Sequence, residues 1–283
     1  MSRVAVVTDS VATIPQSLTE KYGIHVVPQV LVWGDETFRD GVDISPDAFY
    51  HRLQNDKVMP TTSQAPPKAF AEIYRKLLDE DYHILTIVVS TKLSGTYISA
   101  MQAKEALGDA PVEVVDSYSA AMAMGFQVVR AAEAAQQGAS LAECKAIAEQ
   151  ARQHTGVLFA VDTLEFLHRG GRIGGGARLL GTALNLKPIL ELRDGRVEPV
   201  DRVRTRRKSL TRLVELFCER VRGQEPLRLA TLNAAAPADA ELLLEEVKQQ
   251  NIKIDQSITS DVSPVIGTHV GPGTVGLAWM VGM

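Results

Sequence analysis

Apolar residues in the first half of the chain fall in short β-branched runs, and each run ends on small hydroxyl-bearing or charged residues. Val4-Ala5-Val6-Val7 passes into Thr8-Asp9-Ser10, Ile84 to Val89 into Ser90 to Thr96, and Val112-Glu113-Val114-Val115 into Asp116-Ser117. Between these runs the spacing lengthens to that of helices. Ser45-Pro46 places an N-cap residue ahead of a proline at the first helical position, and Ala48, Phe49 and Leu53 supply the apolar face. Helices are also predicted over 66–78, 95–107, 120–136 and 141–153. Strands alternating with helices predict a parallel sheet with crossover helices on both faces, whose strand ends share one edge, where ligands bind.

After about residue 160 the pattern changes. Leu186–Leu192 and Val197–Val203 flank Asp194-Gly195, a dipeptide that supplies the positive φ values of a tight hairpin, so antiparallel pairing replaces crossover. Helices are predicted over 208–221 and 238–248, and strands over 227–232, 252–258 and 275–280. A chain of 283 residues also exceeds one typical core. The expected class is α/β: an amino-terminal parallel-sheet α/β domain, 1–158, with a polar site at its strand ends, then a carboxyl-terminal α+β domain, 159–283, with a mostly antiparallel sheet.

Composition narrows the function classes. The chain is 45% hydrophobic and 23% charged, as ordinary soluble globular proteins are, and its net charge of −4 argues against gripping nucleic acid along the surface. No apolar run is long enough to span a membrane. Met1-Ser2-Arg3 leads straight into a strand without an apolar signal region, so a cytoplasmic location is expected. Cys144 and Cys218 sit far apart in helical patterns without Cys or His partners at metal-ligand spacing, so neither a disulfide nor a bound transition metal is expected.

Candidate chemistry concentrates in a few segments. Ser94-Gly95-Thr96 follows a buried strand and opens a helix, an arrangement that suits a carboxylate or phosphate and equally serves as a plain N-cap. Thr61-Thr62-Ser63-Gln64 forms a loop between Pro60 and Pro66, carrying three hydroxyls and an amide. His269 stands in the glycine-rich loop Gly267 to Thr274; Gly271, Gly273 and Gly276 match GxGxxG, but only seven residues follow, too few for the crossover helix and ribose-binding acid of a dinucleotide site. His168 to Gly176 lacks the lysine and hydroxyl of a phosphate loop, leaving Arg172 and its glycines as a domain junction or anion contact. Arg202, Arg204, Arg206, Arg207, Lys208 and Arg212 form a basic run, either a solvated face or a docking surface for an acidic or phosphate-bearing partner. Asp9 and Asp116 are candidate acids or bases, or helix caps.

Taken in order, Thr8-Asp9-Ser10, Thr62-Ser63-Gln64, Leu93-Ser94-Gly95-Thr96-Tyr97, Asp116-Ser117, Arg169-Gly170-Gly171-Arg172-Ile173, Leu186-Lys187-Pro188-Ile189, Arg204-Thr205-Arg206 and His269 to Gly273 resemble the DegV family of bacterial fatty-acid-binding proteins over essentially the whole chain. The resemblance implies one long-chain, palmitate-like fatty acid as ligand, held without any cofactor or catalytic residue, its tail in the carboxyl-terminal domain and its carboxylate at the interdomain cleft. Thr62, Ser94 and His269 match the head-group contacts, with Ser63, Gly95, Thr96 and Arg172 beside them, and the His269 imidazolium is expected to help keep the carboxylate charged. It further implies a lipid-binding subunit that presents the carboxylate to a separate ATP-binding fatty acid kinase subunit, which makes an acyl phosphate for phospholipid synthesis. Arg204, Arg206 and Arg207 would form the docking surface. A transient contact with a membrane surface stays open, and no nucleic-acid partner is implied. One departure is Ala65, where a proline usually follows Thr-Ser-Gln.

Burying about fifteen methylenes at roughly 0.8 kcal/mol each yields on the order of 12 kcal/mol before ordering costs, enough for tight capture without covalent chemistry. The rival expectation is a free-standing phosphotransferase or hydrolase using Asp9, Asp116 or His269 as acid or base at the same cleft.

Overall fold

The computed structural model describes residues 3–179 and 186–283. The first half contributes β1 (Arg3–Asp9), α1 (Gln16–Tyr22), β2 (His25–Val27), β3 (Val30–Trp33), β4 (Glu36–Arg39), α2 (Pro46–Asn55), β5 (Thr61–Ser63), α3 (Pro67–Asp79), β6 (Tyr82–Val88), α4 (Thr96–Glu105), β7 (Val112–Asp116), α5 (Ala121–Gln136) and α6 (Leu141–Ala151). The strands β2-β1-β6-β7 pair in parallel, as the alternating pattern predicts. The sheet is covered on both faces, and this is why β1 and β6 read as nearly unbroken apolar runs. One face packs on Phe70, Tyr74 and Leu77 of α3 and on Ala100 of α4, the other on Met124 and Val128 of α5 and on Cys144 and Ala148 of α6.

A three-stranded antiparallel sheet, β4-β3-β5, stands beside it. Thr61–Ser63 is therefore an edge strand and not the loop expected from its flanking prolines, with Thr62 opposite Leu31. Proline lacks the N–H that a ladder needs, so Pro60 and Pro66 limit the strand to this short stretch. Ala65 is fully buried, and Pro66 stands at the N-cap of α3.

The second half contributes β8 (Thr155–Ala160), α7 (Glu165–Arg169), β9 (Lys187–Arg193), β10 (Arg196–Val203), α8 (Arg206–Val221), β11 (Leu227–Asn233), α9 (Pro237–Lys248), β12 (Gln256–Asp261), α10 (Pro264–Val270) and β13 (Val275–Val281). The sheet order is β10-β9-β8-β13-β11-β12, antiparallel except for β11 with β12. Asp194 and Gly195 turn the β9–β10 hairpin with φ of 51° and 79°, as the dipeptide predicts. The strand expected over 252–258 lies later, at Gln256–Asp261, because Ile252 and Ile254 are spent on the core beneath α9 before the chain enters the sheet.

Alternation along these strands sorts their side chains by face. Leu158, Leu229 and Leu277 pack under α8 and α9, whereas Val157, Ala230, Leu232, Ala278 and Met280 turn towards α2 and α5. Helix α5 thus serves both sheets: Met124 and Val128 enter the first core, and Met122 and Phe126 the second.

Candidate functional site

Where the inward face of the six-stranded sheet meets the strand ends of the parallel sheet, the side chains do not close completely. A cavity of about 220 Å³ remains. Its walls are largely apolar: Phe159, Leu192, Val197 and Leu232 from the second sheet, Val265 and Ile266 from α10. The polar lining is supplied by Gln29, Thr62, Ser63, Gln64, Ser94, Arg172, His269 and Thr274.

Several of these groups are joined into one cluster. His269 Nε2 lies 2.8 Å from Thr62 Oγ1, across 207 residues of sequence. His269 occupies the last turn of α10, not a loop. That helix is seated at its start by Ser263, whose Oγ accepts from Ile266 N–H, and by buried Asp40, whose carboxylate accepts from Val265 N–H. The imidazole rests against Gly170, where a Cβ would stand 2.1 Å from Nδ1. Arg172 closes the side: its Nε donates to Leu93 O at 3.0 Å and its Nη1 to Gly170 O at 2.7 Å. Both bonds go to neutral carbonyls, so the guanidinium charge faces no carboxylate at bonding distance among the described residues.

Ser94 closes the turn after β6, where its N–H donates to Ser90 O at 3.0 Å. Its Oγ lies 2.8 Å from Thr96 Oγ1, at the first residue of α4. A Cβ on Gly95 would fall 2.5 Å from Gln64 Oε1, so the glycine lets the exposed Gln64 amide lie over the turn. Thr62, Ser63, Ser94, Arg172 and His269 thus reach the cavity wall, whereas Thr96 is fully buried behind Ser94.

The electrostatics correct one expectation. Burial, and secondarily the nearby Arg172 charge, lower the His269 pKa to about 4, so the ring is neutral near pH 7 and not an imidazolium. Its Nδ1 is buried without a hydrogen-bond partner among the described residues.

The two aspartates considered as acids or bases are engaged elsewhere. Asp9 is fully buried, and its two oxygens accept from Val11 N–H at 2.9 Å and Val89 N–H at 2.8 Å. Burial raises its pKa to about 6. Asp116 accepts from Thr91 Oγ1 at 2.7 Å and Tyr118 N–H at 2.8 Å, fixing the two turns that follow β6 and β7. Neither lines the cavity.

The basic run divides. Arg206 pairs with Asp239 at 2.7 Å, and Arg212 with Asp201, Glu215 and Glu219, so these two brace the fold. Arg204 and Arg207 are exposed. Residues 204–207 follow β10 at the edge of the second sheet where β8 ends and β13 begins, the edge that also carries the segment leading from His269 into β13.

Sequence reasoning missed Gln29 and Asp40, and it singled out Gly170 only as part of the Arg169 to Ile173 segment, not as the seat of His269. The first left a trace, since Gln29 is the lone polar residue in Val26-Val27-Pro28-Gln29-Val30-Leu31-Val32. No group of His, Cys, Asp or Glu among the described residues could hold a metal ion, and no helix among them is long and apolar enough to cross a membrane.

Fold and site together define an α/β protein with an apolar chamber between its four-stranded parallel sheet and its six-stranded sheet, bordered by hydroxyls, an imidazole and a guanidinium. The chain belongs to the DegV family, whose model matches residues 3–281. It is 40% identical over 280 residues to a DegV domain-containing protein of Streptomyces coelicolor, covering 98% of each chain. Among solved structures it is similar to a fatty-acid-binding DegV family protein from Thermus thermophilus, with a TM-score of 0.93, 36% identity and 99% of each chain covered. It is also similar to DegV of Bacillus subtilis, described as a fatty acid binding protein, with a TM-score of 0.89, 31% identity and both chains covered completely.

Proposed function

We propose that the chamber holds one long-chain fatty acid, its tail against the inward face of the second sheet and its carboxylate among Thr62, Ser94 and His269, with Ser63 and Arg172 alongside. The convergence of these groups from four separate segments onto one apolar cavity carries this reading. A carboxylate buried without partners costs several kcal/mol, and hydroxyl donors, an imidazole and an uncompensated guanidinium offset that cost. The incoming negative charge also favours protonation of His269, countering the burial that lowers its pKa.

The protein then acts as a carrier that presents the carboxylate oxygen to a separate ATP-binding kinase subunit, which forms the acyl phosphate. A charged, positioned oxygen is what in-line attack on a γ-phosphate requires. Exposed Arg204 and Arg207, at the sheet edge that also bears the segment after His269, fit a docking surface for that subunit; Arg206, tied to Asp239, fits a supporting role.

Native mass spectrometry of the purified protein tests the first step. An added mass matching a long-chain fatty acid, lost in the Ser94→Ala, Thr62→Val double variant, is expected. An empty chamber together with intrinsic ATP turnover overturns the carrier reading in favour of a free-standing phosphotransferase.

A further inference from the structure

Gln29 lies between β2 and β3, is 2% exposed, and contributes to the chamber lining. Its backbone N–H donates to Ser10 Oγ at 3.1 Å, and its side-chain Nε2 donates to Thr96 Oγ1 at 2.8 Å. The nitrogen end of the amide thus faces Thr96, and Gln29 enters this chain of contacts as a donor.

The contact between Ser94 and Thr96 leaves the direction of its hydrogen bond open on distance alone. The neighbours decide it. Thr96 is fully buried, and the contacts of its Oγ1 among the described residues are Gln29 Nε2, a donor, and Ser94 Oγ, so its single proton has Ser94 Oγ as its acceptor. Ser94 Oγ also accepts from Thr96 N–H at 3.3 Å. With its acceptor capacity directed at Thr96, the proton of Ser94 is left for the chamber. A hydroxyl, which ordinarily donates or accepts as its partner demands, is thereby fixed as a donor.

We infer that Gln29 is a positioning residue that polarises the Gln29–Thr96–Ser94 chain, so that the chamber selects an acceptor-only carboxylate head group over an alcohol head group of the same chain length. This inference rests on the fatty-acid reading above. Without Gln29, Thr96 is free to accept from Ser94, whose lone pair then faces the chamber; a carboxylate is repelled there, whereas an alcohol can donate to it.

The test compares palmitic acid and hexadecanol, each competed against a fluorescent fatty acid, on wild type, Gln29→Met and Thr96→Val. The first variant removes the amide at similar size, and the second removes only the hydroxyl, so the question survives if one of them fails to fold. The acid-over-alcohol affinity ratio is expected to fall about tenfold or more in each, the scale of one charge-assisted hydrogen bond. In a Ser94→Ala background the Gln29→Met change should leave the ratio unaltered, because the group it polarises is gone. Equal losses for both probes in the single variants, or an unchanged ratio, overturn the inference while leaving the carrier reading intact. Wild-type protein that takes up neither probe overturns the carrier reading itself.

Discussion

Replacing Gly170, which does not line the cavity, by alanine perturbs His269 from behind and leaves the other proposed lipid contacts untouched. Gly170 has φ −76° and ψ −7°, which alanine adopts without strain, so backbone conformation is not the obstacle. The obstacle is the added carbon, which would lie 2.1 Å from His269 Nδ1 and 2.9 Å from Cε1, with Phe166 O at 3.2 Å on its other side. Ordinary contact needs about 3.5 Å, so the imidazole must retreat by more than about 1 Å. Its bond to Thr62, now 2.8 Å, would not survive that shift. Losing a hydrogen-bonding group to a charged ligand costs about 1.5–3 kcal/mol, a drop of about ten- to one-hundredfold in fatty-acid affinity. Displacement of a fluorescent fatty acid measures it, with thermal unfolding as a control. In a His269→Ala background the Gly170→Ala change should add nothing further. Gly170→Ala protein that binds within about twofold of wild type would show that ring placement does not govern capture.

Ser94→Ala should weaken fatty-acid retention by about 1.5–3 kcal/mol, read by the same displacement assay, and an unchanged affinity would remove Ser94 from the head-group site. The pH dependence of stability separates His269 from Asp9. Because the folded His269 pKa is lowered to about 4 from 6.5, the unfolded chain binds the extra proton between those values, and the His269 contribution falls on acidification. Asp9, raised to about 6 from 3.8, has the opposite slope, its contribution being present at low pH and lost as pH rises through about 6. In urea titrations of ligand-free protein, the stability at pH 5 minus that at pH 7.5 should therefore be more favourable in His269→Gln than in wild type by up to about 2 kcal/mol, and identical differences would contradict the neutral-ring assignment. Arg204→Glu should abolish kinase-dependent acyl-phosphate formation while leaving lipid binding within about twofold; loss of both would refute docking at this edge.

The parallel sheet, its covering helices and the hairpin at Asp194-Gly195 were legible in sequence because periodicity and turn chemistry are local. Thr62, Ser94 and His269 were legible as hydroxyls and a histidine in unusual punctuation, and the family resemblance bound them into one site. Their setting was not. Pro60 and Pro66 disguised β5 as a loop, and the glycines around His269 disguised the last turn of α10. The partners that orient the site lie far away along the chain: Gln29 meets Thr96 across 67 residues, and Asp40 meets Val265 across 225. Protonation was hidden for the same reason, since a pKa follows burial and neighbouring charge, which only the assembled chamber supplies to His269.

Helix α5 is buried along most of its length, sending Met124 and Val128 one way and Met122 and Phe126 the other. It works as a keystone: prising the two sheets apart would strip apolar side chains from both of its flanks at once. Loss of either core would therefore unseat the other, so the two halves are expected to melt together in one cooperative transition.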